Sequence, residues 1–108
     1  MANTFKVLNW EAAAAAGSNT YTVPAATTTI VLQIQAANIG TGAHPVSVKV
    51  TDTTAGTTKF LAKEISVPLN AAIGLQAGKT VLEATDVLDV FSDSTGQIDV
   101  TLSILQID

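Results

Sequence analysis

The chain has no cysteine and no arginine, only three prolines, and aromatic residues at just 5% of its 108 positions. Without cysteine there is no disulfide scaffold, no thiolate metal centre and no cysteine nucleophile. Five lysines stand against nine acidic residues, for a formal net charge of −4. Such a chain lacks the cationic surface that neutralises phosphates, so nucleic acid is not an expected partner. No apolar run approaches the roughly 20 residues that span a bilayer, and no membrane partner is expected. The start, Met1-Ala2-Asn3-Thr4-Phe5-Lys6, has neither the basic segment nor the apolar stretch of a secretory signal. A soluble protein, made in the cytoplasm and left uncleaved, is the expectation.

Alanine (17 residues) and threonine (16) fill much of the chain, and the mean hydropathy is +0.39. That is high for a small domain, which must leave much of its surface exposed. Alanine inflates the figure, because it adds little area per residue. The remainder, spread over Val- and Thr-rich stretches with few charges, points to surface that packs on another copy or on a larger particle. The length suits one compact domain, and neither a linker nor a long repeat divides it.

Alternation with a period of two recurs along the chain, and β-branched residues are abundant. Pro45-Val46-Ser47-Val48-Lys49-Val50-Thr51 places three valines on one face, with Ser47 and Lys49 on the other. Ile30-Val31-Leu32-Gln33-Ile34-Gln35-Ala36 is expected to turn Ile30, Leu32, Ile34 and Ala36 inward. Ile98-Asp99-Val100-Thr101-Leu102-Ser103-Ile104 alternates cleanly, after which Leu105, Gln106 and Ile107 break the phase, as at a bulge or a strand end covered on both faces. Weaker strands are expected over residues 4–10, 19–23, 59–67, 79–84 and 86–92. The inward face of 59–67 is ambiguous, and Leu88 and Val90 should face inward with Asp89 in solvent. Turn chemistry fits at 38–42, at 52–57 and at 93–97, the last expected as a hairpin loop. Pro24, Pro45 and Pro68 sit at the edges of runs, where a missing N–H costs no central ladder bond.

The reading is all-β: a single small antiparallel β-sandwich of about eight strands, jelly-roll or immunoglobulin-like. Residues 21–108 form the sandwich, and residues 1–20 an N-terminal arm or strand with an Ala-rich segment. The run Glu11-Ala12-Ala13-Ala14-Ala15-Ala16-Gly17 is too short for an isolated helix, so a single turn or a small-residue loop is expected.

Chemistry-bearing constellations are sparse. His44, the only histidine, reads as a surface-loop residue, with no serine beside it in a nucleophile setting. Asp86, Asp89, Asp93 and Asp99 form the densest acidic group, but residues 93–99 lack the alternate-position acids and terminal Glu of a calcium loop. Asp86 is expected to close a turn with its side chain, and Asp99 to face solvent. The lysines are scattered, and Lys49, Lys63 and Glu64 can blunt edge pairing. The expectation is therefore no catalytic residue, no metal site and no cofactor. Trp10 and Tyr21 flank the alanine segment and can stack on a sugar, complete the core or anchor an oligomer contact.

The string Tyr21-Thr22-Val23-Pro24-Ala25-Ala26-Thr27-Thr28-Thr29-Ile30-Val31-Leu32 resembles the opening of small virion structural proteins of tailed bacteriophages. So do the strand end Gln35-Ala36-Ala37-Asn38, the strand Val46-Ser47-Val48-Lys49-Val50-Thr51-Asp52 and the step Ile65-Ser66-Val67-Pro68. The segment from Lys79 to Val90 follows the same pattern, except that Thr85 stands where the pattern usually has glycine. The likeness runs from Tyr21 to Ile107 and does not cover the first twenty residues. It implies a β-sandwich present in many copies per virion, without enzymatic activity. The expected role is a capsid decoration (cement) protein on the outer surface of the head. It would be a homo-oligomer, a trimer, that binds the major capsid protein or other virion proteins. Phe5, Trp10, Ala14 and Tyr21 are the candidate interface residues. The alternatives are a neck, tail or fibre-associated subunit and, from another class, a carbohydrate-binding module.

Overall fold

The computed structural model describes residues 3–12, 19–76 and 78–108. The expected alanine turn and Ala14 lie outside the described residues. The described residues form nine strands: β1 (Asn3–Glu11), β2 (Thr20–Thr22), β3 (Thr28–Asn38), β4 (His44–Asp52), β5 (Thr57–Val67), β6 (Ala72–Gly74), β7 (Thr80–Leu82), β8 (Val87–Ser92) and β9 (Ile98–Ile107). They pair antiparallel in two sheets. The first has the order β1-β9-β3-β6, with β7 also on β3, and the second has the order β2-β8-β4-β5. Because β9 occupies one whole side of β3, β6 and β7 share the other side as one interrupted edge strand. That leaves four strand positions per sheet, wound as an eight-stranded jelly roll.

The core lies between the sheets and is built from the alternation. Ile98, Val100, Leu102 and Ile104 of β9 are all buried, as are Val46 and Val48 of β4 and Leu88 and Val90 of β8. Leu8, Trp10, Tyr21, Val50 and Ile73 pack around them. The N-terminal segment is a strand of the sandwich: β1 pairs with β9 over its full length, and Leu8, Trp10 and Ala12 turn into the core.

Four details depart from the simple alternation. In β3 the register with β9 slips between Val31 and Gln33, a bulge at Leu32. Thr29 and Val31 therefore point inward together with Ile34 and Ala36, while Ile30 and Leu32 are half-buried on the other side. The expected inward placement of Ile30 and Leu32 is overturned by this one extra residue. Asp89 is not in solvent. It is buried between Thr20 of β2 and Lys49 of β4, which stand opposite it on the two flanking strands. His44 is the first residue of β4 rather than a loop residue, and its Nδ1 lies 2.9 Å from Asp93 Oδ1. The loop at 93–97 joins β8 in one sheet to β9 in the other, so it crosses between sheets and is not a hairpin.

The turns carry the expected chemistry. Asp52 Oδ1 accepts the N–H groups of Thr54 and Ala55, and Gly56 closes that hairpin at φ +71°. Asp86 accepts from the backbone N–H of Glu83 at 2.9 Å and of Thr53 at 3.3 Å. Beside it Thr85 sits at φ +70°, a conformation that suits glycine and strains a β-branched residue.

Candidate assembly surface

The outer face of the first sheet is not polar throughout. Phe5 stands opposite Leu105, Leu105 opposite Ile30, and Ile30 opposite Val81. Directly opposed residues share a face, so these four side chains form one apolar row across β1, β9, β3 and β7. Phe5 is 72% exposed and Val81 62%, while Leu105 and Ile30 are half-buried between them. Val7, on the same face of β1, is 59% exposed. Further along, Glu11 and Asp99 oppose each other on this face, a like-charge pair in direct register.

A second exposed apolar region runs along β5, the edge strand of the other sheet. Between Val46↔Ile65 and Val48↔Ala62, Ser47 faces two residues of β5, Lys63 and Glu64, and Leu61 is a further extra residue. Glu64 takes a positive φ in the first bulge, and its N–H donates to Ser47 Oγ at 2.9 Å. Two bulges bend β5 away from flat pairing and mix its faces, which is why the sequence pattern there was ambiguous. Phe60, Leu61 and Ile65 are exposed, and the Lys63 ammonium lies 5.3 Å from the Phe60 ring centroid. Behind them a hollow of about 330 Å³ opens between β5 and β6, lined by Leu61, Ala62, Ile65, Gly74, Leu75 and Gln76.

Of the residues singled out from the sequence, Phe5 lies in the apolar row. Trp10 and Tyr21 pack against the core instead, and the Tyr21 hydroxyl bonds Thr29 Oγ1 at 2.8 Å and Gln106 Nε2 at 2.7 Å. Sequence reasoning missed Leu105, Ile30 and Val81. The available signal was the consecutive apolar pairs, Ile30-Val31 and Ile104-Leu105, where one member must face outward.

The acidic residues regroup. Asp52, Glu83 and Asp86 bring carboxylate oxygens within 4.8 Å of one another. Asp52 and Asp86 use theirs to accept turn N–H groups, which gives this cluster a structural task. Ser92 Oγ donates to Pro45 O at 2.8 Å and lies next to the His44–Asp93 pair, fastening the end of β8 to the start of β4.

No protein-family model matches the chain, and no curated protein matches it. Among solved structures, the chain is similar to the Drosophila NLP core, described for pentamer formation and histone binding. The identity is 13% and the TM-score 0.59, with 97% of this chain and 99% of that one covered. It is also similar to a protein of Bacillus endospore appendages, a family of disulfide-linked pili, at 14% identity and a TM-score of 0.56, covering 97% of this chain and 85% of that one. A pentameric capsid protein from metagenomic phage sequences aligns at 22% identity over 94% of this chain and 60% of its own. Its TM-score is 0.40, too loose a superposition to establish common architecture. At such low identity the first two likenesses show the fold alone.

Proposed function

We propose that this protein is a non-enzymatic structural subunit of a virus particle that works by self-association and by packing on other particle proteins. The observation that carries the reading is the apolar row Phe5–Leu105–Ile30–Val81. A sheet face with an apolar row across four strands, exposed at Phe5 and Val81 and half-buried between them, is a face for another surface. The strand-and-turn likeness to phage virion proteins supports the same reading. So does the fold shared with a pentamer-forming core and with a pilus protein, from which we carry over only the idea of assembly from repeated copies.

The finer proposal is a capsid decoration protein on the outside of the head, bound to major capsid subunits. A multivalent subunit holds such a site through weak individual contacts. Three copies suit a three-fold position, and five is the competing number. The glycan-binding alternative loses support because Trp10 and Tyr21 turn toward the core rather than offering open rings. Quantitative proteomics of purified particles tests the reading. Hundreds of copies per particle support decoration, tens or fewer move the protein to the neck or tail, and absence from the particle refutes the proposal.

A further inference from the structure

We infer that β1 pairs antiparallel with β1 of a second copy of this chain, about a two-fold axis at Phe5, so that the two first sheets join edge to edge. The contact rests on the self-association reading above and names the surface it uses. Ala12 N–H donates to Ile98 O at 2.8 Å, and this pair continues the β1–β9 register. Bonded and non-bonded pairs alternate along an antiparallel ladder, so Thr4, Lys6, Leu8 and Trp10 use their backbone groups on β9. Asn3, Phe5, Val7, Asn9 and Glu11 therefore turn their N–H and C=O groups to the free edge. The Asn19 side-chain amide donates to Glu11 O, as that direction requires. At Asn3, Phe5, Val7 and Asn9 these groups meet no partner among the described residues.

The other sheet edges are guarded. β5 is bent by two bulges, and β2, β6 and β7 have three residues each. β1 has nine residues, no proline or glycine, and no slip against β9. Asn3 through Val7 are all exposed, on both faces of the strand, so this half of β1 is held by one ladder alone. Paired about Phe5, the exposed segment covers its own copy from end to end. Asn3 meets Val7 and Phe5 meets Phe5, each pair exchanging two backbone bonds, while Lys6 meets Thr4. An axis at Lys6 would set two ammonium groups directly opposite each other. An axis at Val7 would bring Asn3 to Glu11, where the Asn19 amide already covers the edge. The Phe5 axis also carries the apolar row through the seam, as Val81–Ile30–Leu105–Phe5 followed by the same four residues in reverse. The joined face is twice as wide and stays open to a larger particle. A two-fold contact makes pairs, so a three- or five-fold arrangement uses other surfaces.

The test is charge-swap complementation read by native mass spectrometry, with circular dichroism verifying that each variant is folded. Phe5→Asp and Phe5→Lys alter a side chain that is 72% exposed, and each sets like charges against each other across the axis. The parent chain is expected as a dimer or other even-numbered assembly, and each variant at half that mass. An equimolar mixture of the two variants should return to the parent mass. Val7→Pro removes an edge N–H while leaving the β1–β9 bonds in place, so it should halve the mass as well. Cysteine variants read the register without background, since the chain has no cysteine of its own. On oxidation, Thr4→Cys mixed with Lys6→Cys should cross-link many-fold more than either alone, because only the mixed pair is directly opposed, with Cα atoms about 4.5 Å apart. A monomeric parent chain, a folded Phe5→Asp or Val7→Pro variant of unchanged mass, or a mixture that stays at half mass overturns the contact. So does cross-linking that is stronger for either cysteine variant alone than for the mixture. A monomeric parent chain whose Val7→Pro variant is depleted from purified particles assigns the edge to a strand of another particle protein and overturns the self-contact. These outcomes leave the particle-protein reading intact, and absence from purified particles refutes that reading without touching the contact.

Discussion

Asn38 is the polar residue whose loss the structure makes most costly, and its replacement is the sharpest test of how the two sheets are tied. It closes β3 and is 3% exposed. Its Nδ2 donates to Val67 O at 2.9 Å and also to Gly42 O, and its Oδ1 accepts Gly40 N–H at 2.9 Å. One side chain thus folds the β3–β4 connection and pins it to the end of β5. Asn38→Ala deletes three hydrogen bonds worth about 1 kcal/mol each net, and it strands a buried carbonyl at Val67. The expected loss is about 3 kcal/mol. With a urea slope of about 1.5 kcal/mol/M, the unfolding midpoint falls by about 2 M. Asn38→Asp keeps the bond from Gly40 but turns an acceptor-only group toward two carbonyl oxygens, so it should lose at least as much. The assay is equilibrium urea denaturation at one fixed protomer concentration, because assembly raises apparent stability. A midpoint within about 0.5 M of the parent chain for either variant would refute the reasoning.

Two further substitutions probe other parts of the structure. Tyr21→Phe removes the hydroxyl that bridges Thr29 and Gln106 and should cost about 1–2 kcal/mol in the same assay while leaving the oligomer mass unchanged. A change of mass would move Tyr21 from the core to the assembly contact. Thr85→Gly relieves a β-branched residue at φ +70° but gives up the 2.6 Å hydroxyl contact with Thr53. A net gain of about 1 kcal/mol is expected, and a loss would mean that the Thr53–Thr85 contact outweighs the backbone strain.

Much of the fold was legible because the side-chain period of a strand is a local property. Ile98, Val100, Leu102 and Ile104 alternate with polar residues in the chain and face the core in the structure. The valines of β4, and the turn-closing roles of Asn38, Asp52 and Asp86, also follow from residues within a few positions of one another. The apolar row was not legible in this way. It needs Phe5, Leu105, Ile30 and Val81 brought together from four strands, and no local pattern contains that pairing.

The sequence by itself determined that this chain is built from antiparallel strands with small-residue turns, and that its mean hydropathy is high for a small domain. Tertiary structure alone decided which loops cross between sheets, as residues 93–97 do, and on which side of β3 Ile30 and Leu32 fall. It also decided that Asp89 is covered by its neighbours on β2 and β4. The physical reason is that alternation fixes the facing of a strand only until an extra residue shifts it. Neighbours across a ladder are set by pairings between distant parts of the chain, such as Phe5 with Leu105, whose cost and gain are felt only in the folded whole.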